Sequence, residues 1–219
     1  MNILIADSGS SKTKWCLYSE KEGTKEIIQT QGINPYYQDS GTIRTMLEKE
    51  FPAEAKRADR IFFYGAGCAN PTVNDVVKAA LSDFFSISDV AIDSDLMGAA
   101  RSLCGHQPGI TCILGTGSNS CYYDGHNITH HIFALGFIFG DDGSGSELGK
   151  KLLAEVLKNL LPPHLITCFF EEYKVTPAEI MDNIYHSPFP NRYAARFTRF
   201  IIDHIHEPSL KKLVEEEFI

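Results

Sequence analysis

The sequence predicts an α/β protein of two lobes, with mixed sheets flanked by helices, and three observations carry that expectation. Strand candidates occur three in succession and then alternate with helices, the order of a mixed sheet. A break at Gly105-His106-Gln107-Pro108-Gly109 interrupts the pattern, after which strand–turn–strand starts again. Each half opens on an apolar run that ends in a turn of glycines and hydroxyl residues. Ile3-Leu4-Ile5-Ala6 leads into Asp7-Ser8-Gly9-Ser10-Ser11-Lys12-Thr13, and Cys112-Ile113-Leu114 leads into Gly115-Thr116-Gly117-Ser118-Asn119-Ser120.

In chain order, strands are expected at Asn2–Asp7, Lys14–Tyr18, Glu26–Gln31, Arg60–Tyr64 and Asp89–Ile92. Helices are expected at Thr42–Phe51 and Val73–Phe85, the second on its stripe of Val73, Val76, Val77, Ala80, Leu81, Phe84 and Phe85. A third helix starts near Asp93 to Asp95 and runs to about Cys104. The break places the lobes at 1–106 and 107–219. Beyond it come strands at Thr111–Leu114, Ser120–Tyr123 and His131–Phe137, then a helix over Ser146–Leu161 that Pro162-Pro163 stops. The remainder reads as short helices, including Tyr193–His206 with Phe197, Phe200, Ile201 and Ile205 at helical spacing. Leu210, Leu213, Val214 and Phe218 form an amphipathic pattern still running at Ile219.

The 219 residues are 43% apolar and 22% charged, ordinary values for a globular protein. A formal charge of −8 argues against broad binding to nucleic acid or an anionic membrane. No apolar stretch approaches the roughly 20 residues of a membrane span, and the N-terminus enters a strand directly, so a cytoplasmic protein is expected. Cys16, Cys68, Cys104, Cys112, Cys121 and Cys168 lack the close pairing of a zinc or redox motif and are expected as buried free thiols. Cys68 stands apart, in the Gly-rich turn Gly65-Ala66-Gly67-Cys68-Ala69-Asn70-Pro71. His130-His131 on a strand would point to opposite faces, a poor metal pair. Asn127-Ile128-Thr129 matches a glycosylation acceptor that is irrelevant in a cytoplasmic chain.

A small-residue turn at a strand end lets backbone amides approach a polyanion, and a carboxylate beside it can hold the accompanying hydrated cation. Asp7 is thus the candidate for Mg2+, through water, with Ser8, Gly9, Ser10, Ser11, Lys12 and Thr13 lining phosphates. Gly115, Thr116, Gly117 and Ser118 would do the same in the second half. Lys12 or Lys14 would neutralise charge, although a solvated lysine in a turn is the commoner reading. Neither turn is a P-loop, because the first lacks a Gly before its Lys; nor is Gly115-x-Gly117 a dinucleotide fingerprint, because a strand follows it. Asp95 follows a strand and begins a helix, where Asp is ordinarily an N-cap, and Asp93 competes for that cap.

Four segments, in order, resemble one family: Ile5-Ala6-Asp7-Ser8-Gly9-Ser10-Ser11-Lys12-Thr13, Asp95-Leu96-Met97-Gly98-Ala99, Leu114-Gly115-Thr116-Gly117-Ser118-Asn119 and Gly136-Phe137-Ile138-Phe139-Gly140-Asp141-Asp142-Gly143-Ser144-Gly145. The chain is similar to the BadF/BadG/BcrA/BcrD ATPases, in the N-acetylglucosamine kinase-like branch of the sugar kinase/Hsp70/actin superfamily. The resemblance implies a ribonuclease H-like (actin-like ATPase) fold, with Mg-ATP held between the two Gly-rich hairpins. It implies that Asp95, with Asp93 as alternative, deprotonates the acceptor hydroxyl, and that Asp141 lies near the sugar. Asn119 belongs to the same substrate side. Asn34, in Gly32-Ile33-Asn34-Pro35, matches an acceptor-side turn, although a turn Asn needs no such role. Asp142 stands where the family commonly has Glu, and Leu135 where a Trp often precedes the Gly, so a different sugar pocket is expected. The family continues for several dozen residues beyond this pattern, so the second lobe is expected to be incomplete.

The function expected is phosphorylation of an amino sugar by ATP with Mg2+, with a small-molecule sugar as partner and neither nucleic acid nor membrane. The alternative is the family's other branch, an ATPase activator of a 2-hydroxyacyl-CoA dehydratase or benzoyl-CoA reductase system. That role needs a homodimer whose cysteines converge on one [4Fe–4S] cluster, and Cys68 is the one cysteine at a suitable turn. A degenerate nucleotide-binding fragment is the third reading.

Overall fold

The computed structural model describes residues 1–132 and 134–218. The chain divides into two compact units, one of residues 1–112 with 120–131, the other of residues 113–119 with 132–219.

The first unit opens with three strands, β1 (Asn2–Ser8), β2 (Lys12–Ser19) and β3 (Thr24–Gln31), followed by α1 (Ser40–Glu50). Next come β4 (Arg60–Gly65), α2 (Pro71–Phe85), β5 (Val90–Ser94) and α3 (Asp95–Cys104). The sheet order is β3-β2-β1-β4-β5, with β1 antiparallel to β2 and parallel to β4. The period of two in β1 buries Leu4, Ala6 and Ser8 and turns Ile5 and Asp7 to the other face. The first set packs into a core with Trp15, Ile43, Leu47, Phe63, Val77 and Leu81. Trp15 sits at its centre, edge-on to Phe51 and bonded through Nε1 to Thr30 Oγ1 at 2.9 Å. Helix starts follow capping chemistry: Asp39 accepts from Thr42 N–H, and Asn70 from Thr72 N–H ahead of Pro71.

The third helix begins at Asp95, and its cap is neither Asp93 nor Asp95 but Ser94, whose Oγ accepts from Met97 N–H at 3.1 Å. A second sheet orders β6 (Gly109–Leu114), β7 (Ser118–Tyr123) and β8 (Ile128–Ile132). His130 and His131 lie on β8, both exposed. The strand expected at His131–Phe137 stops early. Leu135 and Gly136 take left-handed backbone, and α4 (Gly136–Phe139) follows; Phe133, like Ile219, lies outside the described residues.

In the second unit α5 (Gly145–Leu157) ends before the expected Leu161, because Asn159 turns left-handed ahead of the prolines. It is followed by α6 (Pro163–Tyr173), α7 (Pro177–His186), α8 (Pro190–Ala195), α9 (Thr198–Asp203) and α10 (Pro208–Glu215). The single helix expected over Tyr193–His206 is two, since Thr198 Oγ1 donates to the Ala195 carbonyl at 2.7 Å and the chain tightens there. The core gathers Leu152, Val156, Leu165, Phe169, Phe197, Phe200 and Leu210. Gly149 lets α5 approach α8: a Cβ there would lie 2.1 Å from the Ala194 carbonyl oxygen. The described thiols are unpaired. Cys121 is buried as expected; Cys68, set apart by its Gly-rich turn, is buried too, whereas Cys112 is exposed. Among the described residues no helix is long and apolar enough to cross a membrane.

Candidate active site

The parallel strands β1, β4 and β5 end on one edge of the first sheet, the place where ligands bind in open α/β sheets. Register aligns Asp7 with Tyr64 and Tyr64 with Asp93, so these three side chains form a row on the face that α3 covers. Gly98 of α3 rests on Tyr64, where a Cβ would meet the ring at 2.7 Å. Arg101 reaches back to donate to Tyr64 OH at 3.1 Å and pairs with Asp93 at 3.5 Å. Asp93 therefore has a cation of its own.

Among the described residues Asp95 has none, and its carboxylate accepts from the adjacent Leu96 N–H at 2.9 Å. Burial pushes its proton affinity up, Leu96 N–H partly offsets this, and the Asp7 charge raises it again. Asp7 is exposed at the end of β1, opposite Lys14 on β2. The structure thus brings Asp7 and Asp95 into electrostatic contact.

The β1–β2 turn separates the phosphate candidates into two kinds. Ser8 and Thr13 are fully buried and bond each other at 2.7 Å. Ser8 Oγ also takes Ile33 N–H at 3.0 Å and lies 3.1 Å from Ile33 O, while Thr13 Oγ1 donates to Gln31 O at 3.1 Å. These hydroxyls latch the hairpin to the chain after β3. Gly9 through Lys12 form the turn itself, closed by Gly9 N–H to Lys12 O at 3.0 Å, with Lys12 exposed. Gly32 supports it from behind, because a Cβ at 32 would sit 2.4 Å from Gly9 O. In the sequence, the signal for Gly32 is its position directly after a strand.

Asn34 is buried, with its Oδ1 accepting from Tyr36 N–H at 3.1 Å. It borders the turn after β4: a Cβ on Gly67 would lie 2.8 Å from Asn34 Oδ1. Cys68 in that turn is 1% exposed, and burial together with the Asp95 and Asp93 charges pushes its thiol up to about 12.

In the second unit, the turn at Gly115 to Ser118 is tied to the start of α5 by Gly145 N–H to Gly115 O at 2.8 Å and Ser146 N–H to Thr116 O at 3.0 Å. Asp141 is nearly buried on left-handed backbone and accepts from Ser118 N–H at 3.3 Å. A Cβ on Gly117 would come within 2.8 Å of its carboxylate. Burial raises the Asp141 proton affinity, and Ser118 N–H and Lys150 work against it. Asp141 accordingly braces the glycine turn. Asn119 is half-buried on β7, one residue beyond that turn.

The chain aligns over 99% of its length with the crystal structure of a candidate N-acetylglucosamine kinase from Porphyromonas gingivalis, at 42% identity and a TM-score of 0.89, covering 77% of that protein. The chain belongs to that protein's family. A second candidate N-acetylglucosamine kinase, from Chromobacterium violaceum, matches at 20% identity and a TM-score of 0.71, with 99% of this chain and 80% of that one covered. MreB 5 of Spiroplasma citri, solved bound to AMPPNP, matches at 10% identity and a TM-score of 0.51, with 91% of this chain and 62% of that one covered. At those identities the last two speak to fold alone, and the fold is that of the actin-like ATPases. Comparisons with protein-family models and with curated proteins returned no match.

Proposed function

We propose that this protein is an ATP-dependent sugar kinase of the N-acetylglucosamine kinase-like branch of the BadF/BadG/BcrA/BcrD ATPases, with Asp95 as the base that takes the acceptor hydroxyl's proton. The observation that carries the reading is Asp95 itself: a carboxylate just beyond the strand ends of the sheet, paired with no cation among the described residues and with raised proton affinity. A general base works best when its proton affinity is lifted toward the operating pH. Asp93 is the weaker candidate because Arg101 pairs with it.

Phosphoryl transfer needs mostly positioning and charge stabilisation, and each Gly-rich turn is suited to supply it. Gly9 to Lys12 present a loop that is half-buried at Gly9 and Ser10 and exposed at Ser11 and Lys12, with Ser8 and Thr13 holding its base rather than reaching outward. Gly115 to Ser118 form a comparable loop, held by Asp141 and the start of α5. The oxygen-only chemistry at Asp7 fits Mg2+, which would neutralise phosphate charge and keep several of its waters. Asn34 would donate its amide hydrogen to a sugar hydroxyl; Asn119 is the second polar contact on the acceptor side. Asp141 would act on the sugar only through the turn it braces.

The activator reading is weaker in this chain. A cluster ligand must be a thiolate, and Cys68 is buried beside two carboxylates with its thiol pushed up to about 12. The deciding experiment is coupled ADP release by the purified chain with Mg-ATP and N-acetylglucosamine, glucosamine, glucose or no acceptor. Release that depends on the amino sugar and is lost in Asp95→Asn supports the kinase. Release without any sugar supports the activator, and no nucleotide binding supports a degenerate fragment.

A further inference from the structure

We propose that the second unit carries a site for a borderline-soft divalent transition metal, with Zn2+ the best fit, formed by Cys168, Glu172 and His204. Cys168 and Glu172 lie four residues apart on α6, so they share a helix face, and His204 is the residue that ends α9. One ligand atom from each lies within 4.8 Å of the other two.

Two details distinguish this group from a chance cluster. His204 Nδ1 lies 3.0 Å from the Phe200 carbonyl oxygen. A carbonyl only accepts, so Nδ1 carries the proton and Nε2 keeps its lone pair. This is the backbone brace that orients a metal-ligating histidine, and stacking on Phe200, with ring centroids 4.3 Å apart, fixes the ring further. The free Nε2 then faces Cys168 Sγ at 3.6 Å. With Zn–S about 2.3 Å and Zn–N about 2.05 Å, the S···N edge of a tetrahedral site is about 3.6 Å, so these two ligands already stand at coordination distance. Glu172 is exposed, with a carboxylate oxygen within 4.8 Å of the other two ligand atoms, and would supply the third ligand. Water would occupy the fourth. A thiolate with an imidazole selects against Mg2+ and Ca2+. The bound ion would link α6 to the end of α9, two elements packed on the Phe169 and Phe200 core.

The test uses the full chain, stripped with a chelator and titrated with Co2+, whose thiolate-to-metal charge-transfer band and intense d–d absorption report a tetrahedral sulfur site. One Co2+ per chain should bind, be displaced by Zn2+, and lose the charge-transfer band in Cys168→Ser but not in the exposed control Cys112→Ser. Glu172→Gln and His204→Gln should each weaken binding by about tenfold or more. Zn2+ should raise the melting temperature of the wild-type chain and leave that of Cys168→Ser unchanged. The proposal fails if the wild-type chain gives no such band, or if the band survives Cys168→Ser. Should Cys168→Ser not fold, Glu172→Gln decides: a surface change that keeps the metal-free melting temperature yet leaves Co2+ affinity unaltered overturns the three-ligand site.

Discussion

Ser8 lies within the first Gly-rich turn proposed to hold phosphates, yet its side chain points inward, and Ser8→Ala should damage stability more than nucleotide affinity. Truncation removes the 2.7 Å bond to Thr13 Oγ1 and the 3.0 Å bond from Ile33 N–H. Thr13 keeps its bond to Gln31 O, whereas Ile33, fully buried, is left with an unpaired amide. An orphaned buried donor costs about 1–3 kcal/mol, and the void left by one hydroxyl is too small to add much. A loss of about 2 kcal/mol at a urea slope of about 2 kcal/mol/M moves the unfolding midpoint down by roughly 1 M. The assay is direct, because the chain has 1 tryptophan, and Trp15 is buried in the same core, so its fluorescence reports the first unit. Thr13→Val, which also removes a latch hydroxyl, should destabilise in the same sense. A midpoint within about 0.2 M of wild type, on the same slope, together with a clear loss of ATP affinity, would refute the latch and return Ser8 to the phosphates.

Asp95→Asn should lower turnover by about 10²–10⁴ with little change in nucleotide affinity, measured by ADP release and by ATP titration. The same substitution should raise the melting temperature near neutral pH. A carboxylate with raised proton affinity costs folding energy above its ordinary value of 3.8, so the gain should shrink as pH falls toward that value. For the same reason kcat/KM should fall on the acid side with a limb above 3.8, and Asp7→Asn, which deletes a charge that raises the Asp95 pKa, should move that limb down. Gly149→Ala puts a Cβ 2.1 Å from the Ala194 carbonyl oxygen, a backbone contact that cannot yield, and should cost about 1–3 kcal/mol or more by thermal melting followed by circular dichroism. Cys68→Ala should retain sugar-dependent ADP release; its loss with the fold intact would reopen a chemical role for the thiol.

The sheet was legible in the sequence because alternation and turn chemistry are local: Leu4, Ala6 and Ser8 on one face of β1 and Asp7 on the other follow from a period of two. Helix ends were less so. The expected Tyr193–His206 helix is split by one Thr198 hydroxyl that donates to the Ala195 carbonyl, which hydrophobic spacing does not register. Sequence named Asp7, Asp95 and the two turns as candidates, but not which side chains face inward. That is decided by partners far along the chain, such as Ile33 for Ser8 and Ser118 for Asp141. Gly32 and Gly117 were readable as glycines but not as contacts, because the atoms that forbid a Cβ belong to Gly9 and Asp141. The metal group of the second unit was out of reach for the same reason, since His204 is 36 residues from Cys168.

Three consecutive polar residues at the end of β5 have different physical roles, and their division is the strongest argument about the chemistry. Asp93 is neutralised by Arg101, which makes it part of the scaffold that seats α3 on Tyr64. Ser94 caps α3, so the helix needs no carboxylate at its start. Asp95 is then superfluous for structure and unfavourable for stability, being partly desolvated and close to Asp7. Residues held at such a cost are the ones expected to do chemistry, because a base must be both exposed to its proton donor and raised in affinity. An Asp serving only as a cap would sit one residue earlier, where Ser94 is, and would show a lowered rather than a raised proton affinity. Asp95→Ala separates the two cases, since loss of a cap lowers the melting temperature and relief of a buried charge raises it.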